Sequence, residues 1–223
     1  MNKSSALPPD MPAVEVTIAG EPRWPAILAI LATAALHFVL PEPLRFGPGW
    51  LLLVVVSLLL IPTVLAHRAG RLDINRVLGH VVSGSLTASM VWSLGLLILR
   101  LPEHRDTPQI LLRAAVTLWV ANVLVFASWY WRLDAGGPNE RDRRDTHSQG
   151  AFLFPQMLMP GKQAHGWQPG FVDYLFLAFN TSTAFSPTDV PVLSRWAKLM
   201  MMVQASISLA TVALIAARAV NIL

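Results

Sequence analysis

Between Leu51 and Ala66 the chain carries no charged residue, and the run opens Leu51-Leu52-Leu53-Val54-Val55-Val56. It belongs to a set of five apolar runs, at about Trp24 to Leu40, Gly49 to Ala66, Val77 to Leu101, Pro108 to Trp131 and Trp196 to Leu223. A run of roughly 20 mostly apolar residues matches about 30 Å of hydrocarbon. In hydrocarbon the backbone N–H and C=O groups have no water partner, so a spanning segment is a helix or a strand of a closed barrel. Barrel strands alternate over segments of about ten residues, and these runs do not alternate. The chain is therefore expected to be all-α: a polytopic membrane protein of about five transmembrane helices.

Composition agrees. Only 13% of the 223 residues are charged and 54% are hydrophobic, whereas soluble domains carry about 25% charged residues. The formal net charge of +4 does not imply nucleic acid, because the arginines sit in the gaps between runs, where membrane topology places them. There is no cysteine, which excludes disulfides and thiolate sites.

Trp24, Trp50, Trp129, Tyr130, Trp131 and Trp196 fall near the expected helix ends, where amphipathic rings suit the headgroup layer. Residues 1–22, rich in proline, are expected to be a disordered tail and not a signal peptide. A three-helix region then covers 23–106. If the N-terminus is cytoplasmic, the inner segments hold Lys3, Arg23, Arg68, Arg71, Arg76, Arg132, Arg141, Arg143, Arg144 and Lys162. The outer segments hold only Arg45, Arg100 and Arg105, with Arg113 a turn into the membrane. The positive-inside rule then favours a cytoplasmic N-terminus, an external C-terminus and a cytoplasmic loop over 132–170. The setting expected is the inner (plasma) membrane of a cell.

The stretch 171–190 is different. Phe171 to Thr183 would make a helix of about 20 Å, too short to cross. A hydroxyl-rich run follows, holding Thr181, Ser182, Thr183, Ser186, Thr188 and Asp189, and a full span begins soon after. A short helix, a polar return and a long helix together form a re-entrant hairpin. Such irregular backbone at membrane depth is tolerated where it is buried in protein or lines a water-filled cavity.

The order outer helix 108–131, polar loop 132–170, hairpin 171–190 and inner helix 194–223 resembles the two-helix pore module of tetrameric potassium-type ion channels. Thr181-Ser182-Thr183-Ala184-Phe185-Ser186-Pro187-Thr188-Asp189-Val190 is similar to that family's Thr-x-Thr-Thr-Val-Gly-Tyr-Gly-Asp filter. The layout also resembles an uncharacterised family of five-span bacterial inner-membrane proteins. The resemblance implies a filter-entry role for Thr183, a mouth aspartate at Asp189, a homotetramer and monovalent cations as cargo. Both filter glycines are missing and the segment is one residue longer. Residues with a Cβ avoid the backbone angles that aim successive carbonyls at an ion, so the implied path is hydroxyl-lined and weakly selective. The resemblance places the filter outside, whereas the charge count places the hairpin at the cytoplasmic side.

In the last span Gln204, Ser208, Thr211, Ile215 and Arg218 recur at helical spacing on one face. That face either lines a conduction path or hydrogen-bonds a neighbouring helix. Gly84-x-x-x-Ala88, with Ser85, Ser89 and Ser93, suggests close helix packing. Asp73, Asp106, Asp134, Glu140, Asp142 and Asp145 are expected to be solvated loop charges. The histidines have no metal-ligand spacing, and no nucleophile or phosphate motif is present. The sequence thus points away from an enzyme and from a cofactor. A homo-oligomeric, weakly selective cation pore in the lipid bilayer is expected, with a non-conducting scaffold or interaction subunit as the alternative.

Overall fold

The computed structural model describes residues 20–100, 107–144, 150–159, 167–183 and 189–220. Its helices are α1 (Trp24–Val39), α2 (Leu51–Arg68), α3 (Leu72–Arg100), α4 (Pro108–Leu133), α5 (Pro138–Arg141), α6 (Phe171–Thr183) and α7 (Arg195–Val220). Among the described residues there is no strand, only an isolated bridge between Phe152 and Val192. Four helices among the described residues, namely α2, α3, α4 and α7, are long and apolar enough to cross a membrane. The apolar helix α1 is shorter, at 16 residues. Of the expected disordered tail, residues 1–19 lie outside the described residues. Its end is anchored, with the Glu21 carboxylate ion-paired to Arg23 and Arg141.

Proline and glycine set the boundaries. Pro25 and Pro108 stand at the first turns of α1 and α4, where a missing N–H costs nothing. Helix α2 ends on Gly70 at φ +70°, with Gly70 N–H donating to His67 O at 3.1 Å and Arg71 N–H to Ala66 O at 2.9 Å. A left-handed residue there lets the last carbonyls find donors while the chain reverses. That reversal makes α2 and α3 an antiparallel hairpin. Helix α3 starts earlier than expected, at Leu72, because Asn75 and Arg76 have partners there. Asn75 Nδ2 donates to Thr63 O at 2.8 Å, and Arg76 pairs with Glu140 at 3.0 Å.

Helix α4 is the axis of the molecule. It packs against α1, α3, α6 and α7 and is buried along most of its length. Two of its tryptophans join it to neighbours: Trp129 Nε1 donates to Thr87 of α3 at 2.8 Å, and Trp119 Nε1 to Ser208 of α7 at 3.0 Å. Helix α7 buries one side on α4 and α6 and exposes Leu199, Met202, Val203 and Leu209 on the other.

Arg23, Arg68, Leu72 and Leu133 mark one basic end of the bundle, and Leu40, Trp50, Arg100 and Pro108 the opposite end. Helix α6 starts at the basic end, where the Tyr174 hydroxyl donates to Asp134 at 2.7 Å. Its last turns reach the middle of α4, with Phe179 edge-on to Trp119 at 5.9 Å. Helix α7 also starts at the basic end, where Trp196 packs on Phe152 at 6.1 Å. The close packing expected of the row from Gly84 to Ser93 divides: a Cβ on Gly84 would meet nothing within 4 Å, whereas Ser93 is fully buried and Ser89 Oγ lies 3.4 Å from His37 Nδ1 of α1.

The chain leaves α4 through Ala135 (φ 51°), Gly136 (φ 84°) and Gly137 (φ 95°). A Cβ on Gly137 would stand 2.8 Å from the carbonyl oxygen of Arg132. Gly137→Ala should therefore destabilise the protein by about 1–3 kcal/mol, combining a disfavoured φ with a backbone clash. Gly84→Ala, in an open helical position, should be neutral or stabilising by up to about 1 kcal/mol. Thermal unfolding of the two variants in detergent checks the contrast.

Candidate functional site

Helix α6 is held in place by a polar seam shared with α4 and α7. Gln204 of α7 is fully buried, with 0% of its surface exposed. Its Nε2 donates to Ala178 O at 2.7 Å and to Ser182 Oγ at 2.8 Å, and its Oε1 accepts from the Tyr130 hydroxyl at 2.6 Å. One turn on, Ser208 Oγ donates to Ser182 O at 2.6 Å and accepts from Trp119 Nε1. Ser182 O is one of the carbonyls left without a partner at a helix C-terminus, and Ser208 supplies that partner. Asn122 of α4 donates to the backbone oxygen of Gln204 at 3.1 Å, while its own Oδ1 is buried without a hydrogen-bond partner. In hydrocarbon an unmet polar group is costly, so these contacts fix the register of three helices.

The structure gathers Ser182, Gln204 and Ser208 into this seam and leaves other expected site residues elsewhere. Gln204, Ser208 and Thr211 do not line an open path within this chain. All three are buried, and Thr211 Oγ1 turns back to Ser208 O at 2.8 Å and Ile207 O at 3.1 Å. The helix-bonding reading of the α7 face describes them, because their hydroxyl and amide groups are engaged by α4, α6 and α7 itself. Thr181 is buried and donates to Leu177 O at 2.8 Å. Thr183 is exposed, and its hydroxyl bonds Phe179 O at 2.9 Å. Asp189 is exposed. Ser186, Thr188 and the Arg218 side chain lie outside the described residues.

A second constellation was not legible in the sequence. Asp134 and Arg141 are not solvated loop charges; they are 0% and 1% exposed. Asp134 Oδ1 accepts from Ala151 N–H at 2.5 Å and its Oδ2 from Tyr174 at 2.7 Å. Arg141 donates to Trp131 O at 2.8 Å and Asp134 O at 3.0 Å, pairs with Glu21 at 3.1 Å, and lies 5.0 Å over the Tyr174 ring. Glu21 also accepts from Trp131 Nε1 at 2.6 Å. Arg23 reaches Glu21 at 3.1 Å and pairs with Asp142. Above this network Phe152 packs against Tyr130 at 5.2 Å, and Phe154 packs against Tyr174 at 5.4 Å. The loop is thus a cap that seals the basic end over α4, α6 and α7. The available signal was its aromatic content: Phe152, Phe154 and Trp167 in one segment are too apolar for a solvated linker.

Compared with known proteins, the chain matches no protein-family model, no curated protein and no solved structure. The likeness to the potassium-type pore module therefore rests on the order of its elements and on 181–190 alone.

Gln204→Leu removes an amide that joins three helices and strands the Tyr130 hydroxyl. It should cost about 1–3 kcal/mol, whereas the exposed Ser206→Ala should cost less than about 0.5 kcal/mol. Removing one partner of a buried ion pair costs about 3–5 kcal/mol. Arg141→Met should accordingly destabilise strongly, while Arg143→Met, with 61% of that side chain exposed, should stay within about 1 kcal/mol. Unfolding midpoints in one detergent give both comparisons.

Proposed function

We propose that this protein is a homo-oligomeric membrane pore passing monovalent cations with weak selectivity, in which α4 is the outer helix, α6 a pore-like helix and α7 the inner helix. In this reading five helices span the membrane, with α1 the shortest, and 171–190 forms a re-entrant hairpin. One observation carries it. Helices α6 and α7 both begin at the basic end, where Tyr174 and Trp196 flank Phe152. Helix α6 stops halfway, with Ser182 bonded to Gln204 and Ser208, and Val192 is back beside Phe152. A chain that enters and returns to its starting level is what a hairpin at membrane depth requires. The C-terminal end of α6 carries partial negative charge favouring a cation, the hydroxyls nearby can replace hydration water, and Asp189 adds a full charge.

The basic end is the one the arginine distribution makes cytoplasmic, so the mouth would face inward. Four copies around an axis would enclose a path that one hairpin cannot. A second reading, a non-conducting scaffold or interaction subunit, is favoured by the seam itself. Gln204, Ser208 and Thr211 are buried within the protomer, so α7 offers few polar groups to an ion.

Liposome flux separates the two. Wild type should pass potassium and sodium. Asp189→Asn should lower cation flux several-fold, with assembly unchanged. Thr183→Val should alter the potassium-to-sodium ratio more than protein yield. No flux from an assembled wild-type oligomer, at several potentials and pH values, would leave the scaffold reading.

A further inference from the structure

At the basic end a cavity of about 230 Å³ lies between α1, α2 and the last turn of α4. Its rim is basic, carrying the cations Arg23, Arg68 and Arg132 beside His67, and its inner wall is apolar, with Ile27 and Ile30 from α1 and Leu60 and Val64 from α2. No carboxylate lines it. The cations are not equivalent. Arg23 is already paired with Glu21 and Asp142. Arg132, by contrast, has no carboxylate within ion-pair distance among the described residues. Its charge rests against the Trp131 ring at 5.3 Å, with Arg23 on the same ring at 5.7 Å. Its Nε is buried without a hydrogen-bond partner. Arg68, exposed at the end of α2, is likewise without an acid.

Arg132 is half-buried with its Nε sealed from solvent, a setting that disfavours a guanidinium without a counter-charge, and among the described residues its neighbours Arg23 and Arg141 each have one. Arg141 in the same layer holds Glu21 and two carbonyls. An anion from outside these residues would supply the counter-charge that Arg132 lacks. It must be hydrogen-bond accepting to suit a guanidinium fork, and attached to an apolar body to suit the wall of Ile27, Ile30, Leu60 and Val64. Basic pockets between helices at the level of the headgroups have this chemistry.

We propose that this cavity binds an anionic phospholipid, its phosphate held by Arg132 and Arg68 and its glycerol and first acyl carbons lying along α1 and α2. Asn75 and Asn139, joined to each other at 2.9 Å, close the polar side of the cavity and are placed to bond headgroup oxygens. The site is separate from the α4–α6–α7 seam and does not depend on conduction.

The test uses the full chain in an uncharged detergent, with short-chain phosphatidylglycerol, phosphatidylcholine and inorganic phosphate as probes. Native mass spectrometry reads stoichiometry, and thermal unfolding reads stabilisation. Phosphatidylglycerol should bind at one per chain and raise the unfolding midpoint, with phosphatidylcholine much weaker and inorganic phosphate without effect at equal concentration. Arg132→Gln should weaken phosphatidylglycerol binding about tenfold or more, the loss of a charge-assisted bond. The exposed Arg68→Gln, which leaves the folded interior untouched, should weaken it severalfold, and Arg143→Gln should not change it. Equal binding of phosphatidylcholine would overturn the anionic site. Equal stabilisation by inorganic phosphate would overturn the lipid in favour of a free anion. Unchanged binding in Arg68→Gln and Arg132→Gln, or none to wild type, would overturn the cavity.

Discussion

Gln204 makes the packing of this bundle specific. A carboxamide buried in a membrane helix must find partners, and here three come from two other helices: the Tyr130 hydroxyl on α4, and Ala178 O and Ser182 Oγ on α6. Dispersion between apolar helices has little preference for register, because lipid tails pack nearly as well as leucine. The amide does have such a preference. A rotation of α7 by one residue, about 100°, would turn Gln204 away from both helices and leave several buried groups unpaired. Contacts worth only about 0.6 kcal/mol each thereby select one arrangement over its neighbours by the cost of the alternatives.

That lock would be insufficient if the start of α6 were free. The same helix is pinned at its other end by Tyr174 on Asp134, inside a network that also takes in Arg141, Glu21 and Trp131. Such a network contributes little net stability, since desolvation offsets most of the attraction. Its effect is positional. It ties residues far apart in sequence, Glu21 before α1 and Arg141 after α4, to the level at which α6 enters. The Phe152 cluster then covers it and excludes water, which strengthens each pair.

The long apolar helices were legible because bilayer physics leaves one solution for an apolar run of that length, and α2, α3, α4 and α7 follow it closely. Boundaries moved where a polar partner rescued a polar residue: α3 begins at Leu72 because Asn75 reaches Thr63 O. The α7 polar face was also visible as a row, but its period says only that Gln204, Ser208 and Thr211 share a side. Which surface that side meets depends on where α6 packs, and no local pattern encodes that. Asp134 departs from the expected solvated loop charge for the same reason, and Arg141 is buried with it. A charge in a loop is solvated unless a distant residue buries it, and the residues that do so here, Glu21 and Tyr174, lie 120 and 40 positions away. The cation without an acid, Arg132, is equally invisible in sequence until the pairings of Arg23 and Arg141 are known.

The buried seam also constrains how a pore could be built from this chain. In a path lined by inner helices, the polar face of each α7 would point to the axis. Here that face is spent on α4 and α6, and the face left open carries Met202, Val203 and Leu209 with Ser206 among them, while the exposed charges Arg195 and Lys198 stand at the first turn. Turning α7 to present Gln204 to an axis would unpair Tyr130, Ala178 O and Ser182 together, so the seam and a polar inner-helix lining are mutually exclusive. Any ion path would therefore have an apolar wall along α7. Its polar groups would be confined to the end of α6 and to Asp189. In such a path the hydroxyl-bearing end of α6 and Asp189 alone would compensate an ion's lost hydration, which is why the proposed conduction should respond to Thr183 and Asp189 and not to the polar row of the inner helix.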